Sequence, residues 1–119
     1  MRVLVVDDST TMRRIIINSL KAAGFTDTVQ AGDGSEALET MDGVGMVLTD
    51  WNMPVMDGLT FVKALREKPE YAEIPIIMVT SEGAREEVME ALSAGVNDYI
   101  VKPFTKDILA AKVSKLLGT

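Results

Sequence analysis

Five short apolar runs recur along the chain, at 2 to 6, 28 to 31, 45 to 49, 75 to 80 and 97 to 101. Each has about the length of a strand buried on both faces. Between the runs the period becomes helical: Met12, Ile15, Ile16, Leu20 and Ala23 fall on one face of a repeat of about 3.6 residues. Start and stop signals agree with that division. Asp33 followed by Glu36 reads as a capping box, and Asp57, Ser81 and Thr105 each stand just before a helical segment. Gly24, Gly43 and Gly95 stand where helices should stop, and Pro69 closes the third. Strand and helix alternate five times without a linker, repeat or low-complexity stretch. This predicts an α/β domain with one parallel sheet, helices on both faces and right-handed crossovers.

The residues at the strand ends carry the chemistry. Asp7-Asp8 ends the first run, Asp50 the third, Thr80 the fourth and Lys102-Pro103 the fifth. Parallel strands deliver all of these to one edge of the sheet, where ligands of such folds bind at the topological switch point. Two unit charges about 4 Å apart repel by about 4 kcal/mol at an effective dielectric of about 20, so three clustered aspartates call for a cation. Oxygen-only ligands favour a hard divalent ion. Mg²⁺ is expected, with Mn²⁺ as a second candidate, since Mg²⁺ takes one or two carboxylates and keeps waters for a phosphate-bearing substrate. Asp50 stands alone at its strand tip, which suits a carboxylate nucleophile that forms an acyl phosphate. Lys102 is the amine that would share the charge of the transferring oxygens, and the Thr80 hydroxyl can donate to them.

Composition narrows the class. A chain of 119 residues fits one domain able to bury roughly two-thirds of its unfolded surface. It has no cysteine, which excludes disulfides and thiolate metal sites, and no histidine, so a phosphohistidine would have to come from a partner. The net charge of −6 disfavours nucleic acid, whose phosphates need Lys and Arg. The apolar runs fall far short of the roughly 20 residues needed to cross a bilayer, and the N-terminus opens on a strand pattern, so no membrane insertion and a cytoplasmic location are expected. Met12, Met41, Met46, Met78 and Met89 read as core fillers, and Met53 and Met56 as packing beside the site.

The segments Val5-Val6-Asp7-Asp8-Ser9, Asp50-Trp51-Asn52-Met53-Pro54-Val55-Met56-Asp57-Gly58, Thr80-Ser81 and Tyr99-Ile100-Val101-Lys102-Pro103-Phe104 closely resemble bacterial response-regulator receiver domains. The likeness runs through essentially the whole chain and is strongest to single-domain chemotaxis regulators, because Trp51 and Asn52 follow the acceptor. It implies a flavodoxin-like (βα)5 doubly wound sheet of strand order 2-1-3-4-5. It also implies one receiver domain over 1–119 with no output domain, acting as a signalling protein that assists its own phosphorylation and dephosphorylation. Asp50 would be the phosphoacceptor, with Asp7, Asp8, Asp50 and the Asn52 carbonyl holding Mg²⁺. Thr80, Ser81 and Lys102 would bind the phosphoryl group, and the Lys102-Pro103 bond would be cis. Thr80 and Tyr99 would form a switch that reshapes the face made by the fourth helix, fifth strand and fifth helix. Asn52 and Glu82 would tune dephosphorylation toward a short lifetime. The implied partners are a chemotaxis-type histidine kinase, the flagellar motor switch protein and a phosphatase, with the chain itself a monomer.

Other readings compete. A flavin-binding module would need a donor-rich phosphate cradle after the first strand, where Asp7-Asp8 would repel a phosphate without metal. An aspartyl phosphatase with an Asp-x-Asp motif would need a second acid two residues after the nucleophile, and Asn52 stands there. A phosphorelay intermediate or a stand-alone receiver with a non-motor target would share the whole site. These differ only in the partner surface, read here as Arg85, Val88, Glu90, Ala91, Lys106, Lys112 and Lys115. Asp57 reads as a turn residue leading into a helix, and Trp51 either as a gate and reporter or as a partly exposed rim residue.

Overall fold

The computed structural model describes residues 1–118; Thr119, where the sequence reading ends the domain, lies outside the described residues. The chain runs β1 (Arg2–Val6), α1 (Thr10–Ala22), β2 (Thr28–Ala31), α2 (Gly34–Glu39), β3 (Val44–Thr49) and α3 (Gly58–Arg66). A 3-10 turn (Pro69–Tyr71) leads on to β4 (Ile76–Thr80), α4 (Arg85–Ala94), β5 (Asp98–Val101) and α5 (Lys106–Leu117). Among the described residues the five strands pair in parallel in the order β2-β1-β3-β4-β5. This is the expected doubly wound, flavodoxin-like arrangement.

Period-2 alternation along each strand divides the core in two. Val3, Val5, Met46, Leu48, Ile77, Val79 and Ile100 pack on Ile16, Ile17 and Leu20 of α1 and on Leu109 and Val113 of α5. The alternate residues Leu4, Val6, Val47, Ile76, Met78 and Tyr99 pack on Ala37, Phe61, Val62, Leu65 and Ala91 of α2, α3 and α4. The sheet is therefore covered on both faces, which is why its strands read as continuous apolar runs. The chain leaves β1 toward β2 on one side and returns to β3 on the other, so the switch point falls between β1 and β3. Val6 is level with Thr49 across that pair, and the next residues, Asp7 and Asp50, come out side by side.

Several local expectations need correction. Ser81 does not cap α4: the helix starts four residues later from Ala84, with no side-chain cap. The intervening segment is held elsewhere, with the Glu82 N–H on Thr80 Oγ1 at 3.4 Å and the Glu82 carbonyl accepting from the Tyr99 hydroxyl. Asp33, Asp57 and Thr105 do cap α2, α3 and α5, accepting from the N–H groups of Glu36, Thr60 and Ile108. Gly95 caps α4 in the left-handed region at φ 114°, but Gly43 serves the turn into β3 and not a helix end. Pro69 opens the 3-10 turn, three residues after α3 has ended. Ile15 is exposed and Ile17 takes its place inside. Met89 is 56% exposed and so is no core filler, whereas Trp51 is buried and not a rim residue. Ala91 is buried beneath α4 and cannot line a partner surface.

Candidate functional site

Asp7 and Asp50 stand at the carboxyl ends of adjacent strands, 1% and 8% exposed. Asp7 Oδ1 accepts the Ser9 N–H at 2.9 Å and Asp50 Oδ1 the Trp51 N–H at 2.7 Å. Each carboxylate thus has one oxygen anchored to its own loop. The second oxygens face Lys102, whose Nζ lies 2.8 Å from Asp7 Oδ2 and 3.2 Å from Asp50 Oδ2. Lys102 arrives from the far side of β4: its N–H bonds the Thr80 carbonyl at 2.9 Å, and the following bond to Pro103 is cis. Partial burial opposes the charge of the Lys102 ammonium, but its hydrogen bond to Asp7 and the charges of Asp50 and Asp7 outweigh it and hold the group above its ordinary range.

Asp8 completes the acidic group. It is exposed, and its carboxylate makes no hydrogen bond or ion pair among the described residues. One oxygen from each of Asp7, Asp8 and Asp50 lies within 4.8 Å of the others. Ligands on opposite sides of an octahedral Mg²⁺ are about 4.2 Å apart, so an ion of this size fits with slight contraction or with one acid acting through water. All three donors are hard oxygens, one of them open to solvent.

The rest of the rim is held by specific contacts. Asn52 Nδ2 donates to Glu82 Oε1 at 2.8 Å, joining the loops after β3 and β4. Thr80 is fully buried at its strand end, and Ser81 is exposed beside it. The loop from Trp51 to Asp57 is tight: the Met56 N–H returns to the Pro54 carbonyl at 2.7 Å across Val55, at φ 68°. At its end the Gly58 N–H bonds the Trp51 carbonyl at 2.8 Å. Two contacts escaped sequence reasoning. Arg13 donates to the Asp7 carbonyl, and Gly58 lies directly against the Asp50 carbonyl. A basic residue in a first helical turn and the glycine after Asp57 were the available signals.

Tyr99 lies inward, buried against the α4 side of the sheet, with its hydroxyl on the Glu82 carbonyl. Burial first, and then the carboxylates of Glu82, Glu87 and Asp50, push its pKa from 10.0 up to about 12. Between those values the folded protein holds a proton that the unfolded chain has lost. This contribution to stability is therefore complete below pH 10.0 and drains away as pH rises to about 12. Alkaline titration of phenolate absorbance should show a component near pH 12 that disappears in Tyr99→Phe. If the component removed by the substitution instead titrated at an ordinary phenol pKa, the buried, hydrogen-bonded placement would be wrong.

The outer face of α4, β5 and α5 exposes Met89, Leu92, Val101 and Ile108. None of these was among the expected partner residues. Lys112, which was, pairs with Asp98 at 2.9 Å. Among the described residues no helix is long and apolar enough to cross a membrane.

Comparison with known proteins agrees with this geometry. The family model for the response regulator receiver domain matches residues 3–114. The chain is 52% identical over 122 aligned positions to the chemotaxis protein CheY1 of Helicobacter pylori, covering 100% of this chain and 98% of that one. It is 45% identical over 118 positions to the chemotaxis protein CheY of Pseudomonas aeruginosa, covering 98% and 95%. The structure of Vibrio cholerae CheY4 superposes with a TM-score of 0.90 at 36% identity over 97% of each chain. With a carboxylate pair at the switch point, a lysine bridging it and these likenesses over nearly its full length, the chain belongs to the response-regulator receiver domain family.

Proposed function

We propose that this chain is a chemotaxis response regulator in which Asp50 accepts a phosphoryl group from a histidine-kinase phosphohistidine. Its phosphorylated form would be read by the flagellar motor switch. The observation that carries the reading is Asp50 itself: nearly buried at the switch point, beside Asp7, under the Lys102 ammonium and open to Asp8. The names of its relatives support the chemotaxis role. The chain acts as a single receiver domain, a cytoplasmic monomer, with a phosphatase as a further partner.

In the transfer step an Asp50 carboxylate oxygen attacks phosphorus, the P–N bond to the donor imidazole breaks, and that nitrogen keeps the electron pair. Asp7, Asp8, Asp50 and the Asn52 carbonyl would hold Mg²⁺ (or Mn²⁺), which when bound neutralises charge on the transferring oxygens. Lys102 already touches Asp50 and can follow the charge to the phosphoryl group. Thr80 and Ser81 supply hydroxyl donors. Engagement of Thr80 would pull on the segment to Glu82, and through the Glu82 carbonyl on Tyr99. The partner would then read the elements on either side of Tyr99, where Met89, Leu92, Val101 and Ile108 are exposed, together with Arg85, Lys106 and Lys115. A coupling of about 1–3 kcal/mol would change partner affinity some 5- to 150-fold. Asn52 and Glu82, joined above the site, would control the approach of the hydrolytic water and give a short-lived signal.

Intact mass spectrometry after addition of Mg²⁺ and acetyl phosphate tests the reading. A transient gain of one phosphoryl group that vanishes on chelation is expected. No adduct on the folded protein would overturn it, and an adduct that persists for hours would contradict the roles given to Asn52 and Glu82.

A further inference from the structure

We propose that Arg13 is a positioning residue of the acidic cluster: its guanidinium fixes the peptide between Asp7 and Asp8 and so aims the Asp8 carboxylate at the metal ion. The inference rests on the Mg²⁺ reading given above and assigns a part of the site that the sequence pattern did not mark.

The three carboxylates are not held alike. Asp7 and Asp50 each have a backbone N–H on one oxygen and Lys102 on the other. Asp8 has neither, so the place of its carboxylate depends on where the backbone puts its Cα. The carbonyl of Asp7 and the N–H of Asp8 belong to one rigid plane. Arg13 Nη1 donates to that carbonyl. On the preceding side the Asp7 N–H bonds the Ala31 carbonyl at 3.1 Å. The backbone is thus gripped just before Asp7 by β2 and just after it by Arg13.

Arg13 is itself tied down. Its Nε donates to Gln30 Oε1 at 3.0 Å, on the edge strand β2, and its Nη2 to Thr10 Oγ1 at 3.3 Å. Three donors of one planar fork therefore bind three acceptors on β2, α1 and the loop after β1. A lysine, with a single ammonium on a flexible stem, does not reproduce that span. The residue also sits where a helix alone would not choose it. The first turn of α1 contains no acid, and a cation there opposes the positive end of the helix dipole. Breaking a local rule beside a site is what a positioning role accounts for.

A purely electrostatic role predicts the opposite sign, which makes the inference testable. Arg13 is a cation bonded to the peptide that carries Asp8, whose carboxylate has no partner among the described residues. If its charge alone mattered, removing it would tighten Mg²⁺ binding. If it positions Asp8, removing it weakens binding.

The experiment measures the Mg²⁺ dissociation constant by Trp51 fluorescence for the full chain, Arg13→Met, Arg13→Lys and Asp8→Asn, with thermal midpoints in chelator alongside. Both Arg13 variants are expected to raise the dissociation constant about 10-fold, the usual size for an outer partner of a metal ligand. Tighter binding in Arg13→Met with unchanged binding in Arg13→Lys would overturn the proposal in favour of charge. A lower midpoint with unchanged affinity would reduce Arg13 to a structural tie. Should Arg13→Met fail to fold, Arg13→Lys decides, since only loss of the fork weakens it. Absence of Mg²⁺ binding by the unaltered chain would overturn the metal reading itself, a distinct result from Arg13 variants that bind as the unaltered chain does.

Discussion

Asp50→Asn is expected to abolish the phosphoryl adduct completely and, in the absence of metal, to make the protein more stable. An amide is not the nucleophile that forms an acyl phosphate, so uptake ends with the carboxylate. The stability gain comes from the crowding of charge. Asp50 has two like charges in its cluster, Asp7 and Asp8, with ligand oxygens within 4.8 Å, against one opposite charge, Lys102, at 3.2 Å. At an effective dielectric of about 20 the attraction is worth about 5 kcal/mol and each repulsion about 3.5 kcal/mol. The two repulsions exceed the single attraction, and solvent around exposed Asp8 discounts the difference to about 1 kcal/mol. Asparagine Oδ1 can still accept the Trp51 N–H, so the loop keeps its anchor. Urea unfolding in chelator should therefore show the variant about 1 kcal/mol more stable, and added Mg²⁺ should narrow or reverse the order by stabilising the unaltered chain more. A residual adduct on the variant would place the acceptor elsewhere. A variant less stable in chelator would mean that Lys102 outweighs both neighbouring acids.

The strand ends were legible in the sequence because both faces of the sheet are covered. Runs such as Val3 to Val6 and Ile76 to Val79 had to be apolar throughout, and the first polar residue after each marks the sheet edge. That made Asp7, Asp50, Thr80 and Lys102 readable as neighbours. The strand order came from family likeness, since apolar runs that are equally buried do not say which lies beside which. Helix faces were harder. Ile15, Ile16 and Ile17 are three apolar residues in succession, so two phases of α1 fit equally well; packing on Val3, Val5 and Leu109 selects Ile16 and Ile17. On α4 the surface was misread because small Ala91 faces the core, while Met89 and Leu92 face outward. Arg13 and Gly58 act through backbone carbonyls. Their partners are therefore set by chain geometry, and the residue types alone, a basic side chain early in α1 and a glycine after Asp57, do not say which carbonyl each meets.

Gly58→Ala is expected to destabilise the protein by about 3 kcal/mol and to slow phosphoryl uptake by about 10²-fold. Propensity alone predicts the reverse, since alanine is favoured over glycine in a helix by about 1 kcal/mol. Packing wins here because of what the new methyl would meet. A Cβ on Gly58 would lie 1.9 Å from the Asp50 carbonyl oxygen, 2.9 Å from its carbon and 3.1 Å from Trp51 Cα. All three are backbone atoms at the end of β3, so no side chain can rotate to make room. The start of α3 must move away, the Gly58 N–H bond to Trp51 at 2.8 Å must stretch, or Asp50 itself must shift. A shift on the Asp50 side disturbs the Trp51 N–H that anchors Asp50 Oδ1. A displacement of about 1 Å at a reacting group is enough to cost about 10²-fold in rate. Thr60→Ala, at an exposed position of the same helix, separates the two effects, because it changes helix propensity without touching Asp50. Urea unfolding and the rate of adduct formation with acetyl phosphate measure both consequences together. Loss of stability with an unchanged rate would show that α3 yields and Asp50 stays in place. A slower rate with intact stability would show that the strand end yields, with the phosphoacceptor moving to relieve the contact.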